Sequence, residues 1–379
     1  MNKKHSLRLR NKELTKIFNI ELLNLKVVYQ SGNINKPRTF EKEFKSEEDA
    51  LKFFYKKEWE MLKKGFVLNN DEVTLGNPKL HYFTSSGYSG CLSFTNTTEG
   101  IFVYQHGSYD DPKNQYDFII NIDKEGNLKH KIQLPDILPW SIKFNSKNNS
   151  LLIILDHHIY TFSIEHQKFQ KIADREKGEW ASFISINENL YSYGTNEKLV
   201  VKDFNDNLLF TQKYKVEIIK GDISFCATLS KTTNRLAIHT KLGEIELYDI
   251  KTTKHLKTIK GNFNRIVKLE FAESDKTLII QQENHKPLIY IDIEKSEQLD
   301  YPDLEIPEYL KNVVDFCLNK DESKLVLLQG MSAYVYDFKN KKYIHSFKIE
   351  HVIKTANIQF IDNDLGVRAD SGCFSIYKI

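Results

Sequence analysis

The sequence predicts a mainly β chain: a seven-bladed β-propeller with four antiparallel strands per blade, preceded by a small α+β domain. The first observation behind this is a recurring strand, turn and strand. Glu244-Ile-Glu-Leu-Tyr-Asp-Ile250 leads through Lys-Thr-Thr-Lys into His255-Leu-Lys-Thr-Ile259, and Tyr334-Val-Tyr-Asp-Phe338 leads into Tyr343-Ile-His-Ser-Phe347. The second is the period. Marking each copy at one slot gives Asn121, Ser163, Asp203, Asp249, Asp292, Asp337 and Lys378, at spacings of 42, 40, 46, 43, 45 and 41 residues. Self-similar strand-forming sequence at roughly 40 to 45 residues is the pattern of four-stranded propeller blades. The third is a change of pattern before residue 70, where short alternating strands give way to one amphipathic helix.

Bulk properties narrow the function classes. Residues 1–70 hold 16 Lys/Arg and 9 Asp/Glu, against 54 and 51 in the whole chain, so a head of +7 precedes a body of −4. An anionic partner would meet the head. Cys91, Cys226, Cys317 and Cys373 form no Cys-x-x-Cys pair. They read as buried free thiols in a reducing compartment. No signal-peptide core and no apolar run of membrane-spanning length is present, so the expectation is a cytoplasmic monomer with no membrane association.

In chain order, residues 1–15 read as a basic N-terminal segment and 16–68 as the α+β domain. Residues 69–78 read as a linker, and 79–379 as the propeller. Lys16–Glu21, Leu25–Tyr29 and Thr39–Phe44 read as strands. Ser46-Glu-Glu-Asp49 signals a helix start, with a hydroxyl at the N-cap and acids in the first turn. Leu51, Phe54, Tyr55, Trp59 and Leu62 make its apolar stripe, and Gly65 is a natural stop.

Several of these pieces resemble a known family. Lys16-Ile-Phe-Asn-Ile-Glu21, Tyr29-Gln-Ser-Gly-Asn-Ile34, Phe44, Ser46-Glu-Glu-Asp-Ala-Leu51 and Leu62-Lys-Lys-Gly-Phe66 are similar to the Trp-Gly-Arg (WGR) domain. That domain is found in poly(ADP-ribose) polymerases and in bacterial proteins of other architecture. Ser31-Gly32-Asn33 stands at the signature tripeptide, of which Gly32 alone matches. The resemblance implies a sheet-and-helix fold and a nucleic-acid contact at this turn. The residues that would make the contact are Gly32, Asn33, Lys36, Arg38 and Lys42, the last three through charge to phosphate.

The body resembles the WD-repeat class, with Tyr248-Asp249 and Tyr336-Asp337 where Trp-Asp would stand. Asp249, Asp292 and Asp337 read as acceptors in the turn between third and fourth strands. Turns at 145–149, 230–234, 273–276 and 319–323 read as joining first and second strands. His157-His158 reads as turn residues. The stretch from Tyr104 to Tyr116, with His106, Asp110, Asp111 and Pro112, reads as a long hairpin loop. Lys79–Thr84 is expected to pair antiparallel with Phe374–Ile379 and close the ring.

No nucleophile elbow, metalloprotease helix, phosphate loop or Cys/His cluster appears. No catalytic residue, metal or cofactor is therefore expected. The functional expectation is a non-enzymatic recognition or scaffold protein that binds a protein partner through the propeller, with nucleic-acid affinity added by the head. The alternative is a sequence-nonspecific binder of nucleic-acid ends acting through the head. A propeller hydrolase or lyase ranks third.

Overall fold

A computed structural model describes residues 4–70, 73–85, 91–107, 116–175, 183–194, 198–213, 226–282, 287–304 and 313–379. The chain opens with β1 (Lys4–Asn11), β2 (Lys16–Leu23), β3 (Lys26–Asn33), β4 (Arg38–Glu43), helix α1 (Glu47–Lys63), β5 (Phe66–Asn69) and β6 (Pro78–Phe83). Six four-stranded sheets follow among the described residues. They are β7 to β10 (Phe94–Thr97, Gly100–Gln105, Phe118–Ile122, Leu128–Gln133) and β11 to β14 (Ser141–Asn145, Ser150–Ile154, His158–Ser163, Lys168–Asp174). Next come β15 to β18 (Phe183–Ile186, Leu190–Gly194, Lys198–Asp203, Leu208–Lys213) and β19 to β22 (Cys226–Leu229, Arg235–Lys241, Glu244–Asp249, Lys254–Lys260). The last two are β23 to β26 (Ile266–Ala272, Thr277–Gln282, Ile289–Asp292, Glu297–Leu299) and β27 to β30 (Val313–Leu318, Lys324–Gln329, Ser332–Asp337, Lys342–Lys348). β31 (Ala356–Ile361), β32 (Asp364–Ala369) and β33 (Cys373–Tyr377) end the chain.

Among the described residues the separate four-stranded blades number six, not the seven that the repeat suggests. The seventh repeat belongs to a nine-stranded sheet of order β31-β32-β33-β6-β5-β1-β2-β3-β4. Within it β6 pairs antiparallel with β33, Phe374 opposite Tyr82 and Ser375 opposite His81. The other edge of β6 is taken by β5, with Leu68 opposite His81, and β5 pairs in turn with β1. A strand with both edges paired cannot end a blade, so the terminal sheet continues into the head.

Two sequence expectations change as a result. Residues 4–11, read as part of a basic segment, form β1, with Leu7 and Leu9 buried and Ile20 opposite Leu7. The alternation Leu7, Arg8, Leu9, Arg10 carried that signal. The linker expected at 69–78 is shorter, since Asn69 ends β5 and Pro78 opens β6. Residues 71 and 72 lie outside the described residues. Four apolar-rich residues do not announce a strand alone; β5 forms because both its edges find partners.

The chain divides into two compact units. The first holds residues 1–92, 99–133 and 347–379; the second holds 93–98 and 134–346. In the first, α1 lies on the sheet over Leu9, Phe18, Ile20, Val27 and Leu68. Its N-cap is Ser46, whose Oγ accepts the Asp49 amide at 3.1 Å. Replacing Ser46 with Ala should cost about 1 kcal/mol in urea denaturation, with an unchanged m-value. The helix buries Ala50, Phe54, Glu58 and Leu62. The expected stripe is therefore rotated: Tyr55 and Trp59 are half-buried, and Trp59 stacks on His351 and meets Phe83 edge-on. A carboxylate occupies the fully buried position.

In the second unit the first strands of successive sheets pack on one another, β7 on β11, β11 on β15, β15 on β19 and β19 on β23. Apolar second strands fill the space between sheets, as with Leu278 and Ile280 against Ile245 and Leu247. The turns after the first strands are organised by side-chain acceptors. Asn145, Asn187 and Ser230 accept amides two residues on, at 3.0, 2.9 and 3.1 Å. The turns after the third strands use acids. Asp203, Asp249, Asp292 and Asp337 accept the amides of Asn205, Thr252, Lys295 and Asn340. In the first repeat the acceptor is Asp123, two residues past the period marker Asn121, which lies inside β9. No helix among the described residues is long and apolar enough to cross a membrane.

Candidate functional site

The head residues singled out by sequence lie at one end of the nine-stranded sheet. Gly32 and Asn33 end β3, Lys36 is in the turn, and Arg38 and Lys42 lie on β4. Strand β4 is exposed throughout and is the sheet's last strand. Its mixed charges do what an unpaired edge requires, which is to discourage pairing with another chain. Lys42 stands over the rings of Phe44 and Phe53, at 5.0 and 4.6 Å. Asn33 is used locally, its Oδ1 accepting the Asn35 amide at 2.9 Å.

Of the histidine pair, His157 lies in the turn between β12 and β13 and His158 opens β13. Asp136 accepts the His157 amide at 2.8 Å and lies 3.2 Å from His158 Nδ1. These contacts hold the turn. At the stem of the long hairpin, Asp117 accepts the Gly107 amide at 2.9 Å and lies 3.2 Å from His106 Nδ1. Asp110, Asp111 and Pro112 lie outside the described residues.

The first strands of the second unit and the turns after them carry a charged network. Lys268 Nζ reaches Asp315 at 2.8 Å, and Lys231 Nζ reaches Glu270 at 2.8 Å and Glu322 at 3.7 Å. Burial alone would raise the Glu270 carboxyl, but Lys231 and Lys268 outweigh it and hold it below the ordinary carboxylate range. Burial lowers Lys143, helped by the like charge of Lys268. The thiols here are inert: burial pushes Cys226 up to about 12 and Cys317 well above its usual value. An acid catalyst needs a raised carboxyl, whereas Glu270 is kept ionised by partners.

One cluster in the first unit was not foreseen. Glu58 from α1, His81 from β6, and Glu350 and His351 from the segment between β30 and β31 bring one donor atom each within 4.8 Å of the others. His81 Nε2 is 2.9 Å from Glu350 Oε2 and 3.7 Å from Glu58 Oε1, and His351 Nε2 is 3.2 Å from Glu58 Oε2. The Glu58 and His81 side chains are fully buried.

Each member is positioned by its element. Glu58 sits one turn after Phe54 and one before Leu62, which fixes it on the buried face. His81 is opposite Leu68 and Ser375 on neighbouring strands, and its Nδ1 is 2.7 Å from Ser375 Oγ. His351 has φ of 60°, a left-handed conformation uncommon for a residue with a side chain. Its carbonyl accepts the Ser371 hydroxyl. The Glu350 amide donates to the Tyr377 hydroxyl at 2.9 Å.

The electrostatics of the cluster favour positive charge. Burial opposes a charge on His81, yet Cys373, Glu350 and Glu58 outweigh it and raise its pKa well above the ordinary imidazole value. Glu350 is lowered despite its burial, by His81, His351 and a hydrogen bond from Tyr55. No local spacing announced this group: His81 and Glu350 are 269 positions apart. Glu58, an acid on the apolar stripe, was the one available signal.

No family model and no curated protein matches the chain. Solved structures do. A chain in the crystal structure of a mitotic checkpoint complex aligns with a TM-score of 0.60 at 10% identity, over 82% of this chain and 96% of that one. The fold is a WD-repeat-like β-propeller. At that identity the likeness shows fold alone.

Proposed function

We propose that this chain is a non-enzymatic recognition protein, a cytoplasmic monomer whose propeller binds a protein partner. The observation that carries this reading is the turn-rich end of the second unit's sheets. There the turns between second and third strands meet the connections between sheets. The Gly243 amide donates to Phe263 O at 2.7 Å and the Asp156 amide to Ile137 O at 2.9 Å. Exposed apolar side chains stand at this end: Leu242 at 40%, Val267 at 46% and Met331 at 44% exposure. Loops on a rigid scaffold are common binding surfaces, and apolar anchors supply most interface energy. All four cysteines are buried thiols outside any disulfide, which supports a reducing compartment.

The head is read as a WGR-like domain, since an antiparallel sheet with one helix across it agrees with that resemblance. Its nucleic-acid contact, through Gly32, Asn33, Lys36, Arg38 and Lys42, is electrostatic and secondary, and should weaken steeply with salt.

One experiment separates the two surfaces. The full chain is used to capture partners from its source cells, with and without nuclease. It is compared with Leu242→Glu/Val267→Glu/Met331→Glu and with Lys36→Glu/Arg38→Glu. The triple variant should lose the partner at least about tenfold, and the double variant should retain it. Loss on nuclease treatment or in the double variant alone would overturn the reading in favour of nucleic acid.

A further inference from the structure

We propose that Glu58, His81, Glu350 and His351 form a four-coordinate site for a first-row divalent cation, zinc(II) by its donor set. Two imidazole nitrogens and two carboxylates are ligands that zinc accepts in closed tetrahedral sites. At Zn–ligand distances of about 2.0–2.1 Å, donor atoms of a tetrahedron lie about 3.4 Å apart. Three of the six separations here are 3.7, 2.9 and 3.2 Å and all six lie within 4.8 Å, so side-chain adjustment closes the set on one ion.

The bonding of Glu58 points the same way. Both its oxygens are buried without a hydrogen-bond partner, as is His351 Nε2. Glu58 Oε2 and His351 Nε2 are 3.2 Å apart yet are not aligned as a hydrogen bond. A buried carboxylate is normally paired or bound to a metal. Two carboxylates and two neutral imidazoles sum to −2, which one divalent cation neutralises. When the ion is bound, a proton on His81 Nδ1, shared with Ser375 Oγ, leaves the Nε2 lone pair for the metal. That is the outer-shell arrangement typical of metal-binding histidines.

The surroundings are built to hold these four groups. The Glu350 amide donates to the Tyr377 hydroxyl, and Trp59 stacks on the His351 ring at a centroid distance of 4.7 Å. In an extended strand neighbouring side chains point to opposite faces. The left-handed φ of His351 lets the adjacent pair reach one point. All four positions are taken by protein, so the role is structural: the ion ties α1 to β6 and to the segment before β31.

The test uses the full chain. Metal content is measured by plasma mass spectrometry after purification without chelator, then after chelator dialysis and back-titration with zinc chloride. About one zinc per chain is expected, with a higher Tm for the zinc-loaded than for the stripped protein. Cobalt(II) loading should give the visible absorption of a tetrahedral ion. Glu58→Gln/Glu350→Gln, which keeps shape and removes charge, should weaken zinc at least about 100-fold in a chelator competition. Folded wild-type protein that takes up less than about a tenth of an equivalent on zinc titration overturns the proposal. So does unchanged zinc affinity in the double variant.

Discussion

Deleting residues 374–379 should abolish cooperative folding of the first unit. Strand β33 is paired on both sides, with β32 and with β6. The deletion removes Phe374, Ile376 and Tyr377, all buried, together with Ser375 and Ile379. Phe374→Ala alone should cost about 3–5 kcal/mol, because the ring leaves a cavity. Net stability of a domain is only about 5–15 kcal/mol, so losing three such side chains and two ladders exceeds it. Circular dichroism during urea titration is the measurement. The truncated chain should give a broad, non-cooperative change in place of the wild-type transition. A sharp transition at the wild-type midpoint would show that β33 is dispensable.

Arg368→Ala should be the most destabilising single substitution of a polar residue in the same unit, at about 3–5 kcal/mol. Arg368 lies on β32 and is fully buried. Its guanidinium donates to the carbonyls of Ala369 at 2.7 Å, Tyr104 at 3.3 Å and Ser85 at 3.4 Å. Alanine leaves a large cavity and removes the donors from three carbonyls, each of which costs free energy when buried unpaired. Arg368→Met separates the two effects. It restores most of the volume and none of the donors, so it should fall between wild type and Arg368→Ala in urea midpoint. Equal stability of the methionine variant and wild type would show that the hydrogen bonds contribute nothing net.

Much of the β architecture was legible because local chemistry repeats. The acids at Asp203, Asp249, Asp292 and Asp337 mark one turn per repeat, and each accepts an amide there. The N-cap at Ser46 was equally local. What the repeat could not convey is where a sheet stops. Period counts copies, and the seventh copy shares a sheet with the head because β5 takes the free edge of β6. Strand pairing of that kind depends on two distant edges, not on either segment's pattern. The helix shows the same limit. An apolar stripe read from large side chains favoured Trp59, while burial fell on Ala50 and Glu58. The four-residue cluster was illegible for a related reason: its members come from three parts of the chain, and each alone reads as core or turn. Gly32 and Asn33 were found by resemblance and Lys36, Arg38 and Lys42 by charge beside them, and they lie on and beside an exposed edge.

The most direct test of the joined sheet is native-state hydrogen exchange on the full chain, followed residue by residue through β1, β5, β6 and β33. If head strands and the last repeat form one cooperative structure, the amides of Leu9, Leu68, Tyr82 and Ser375 should open with a single free energy. That value should drop equally at all four positions in Phe374→Ala. Exchange of β1 and β5 through a separate, lower-energy opening, with β6 and β33 still protected and the head unmoved by Phe374→Ala, would contradict it.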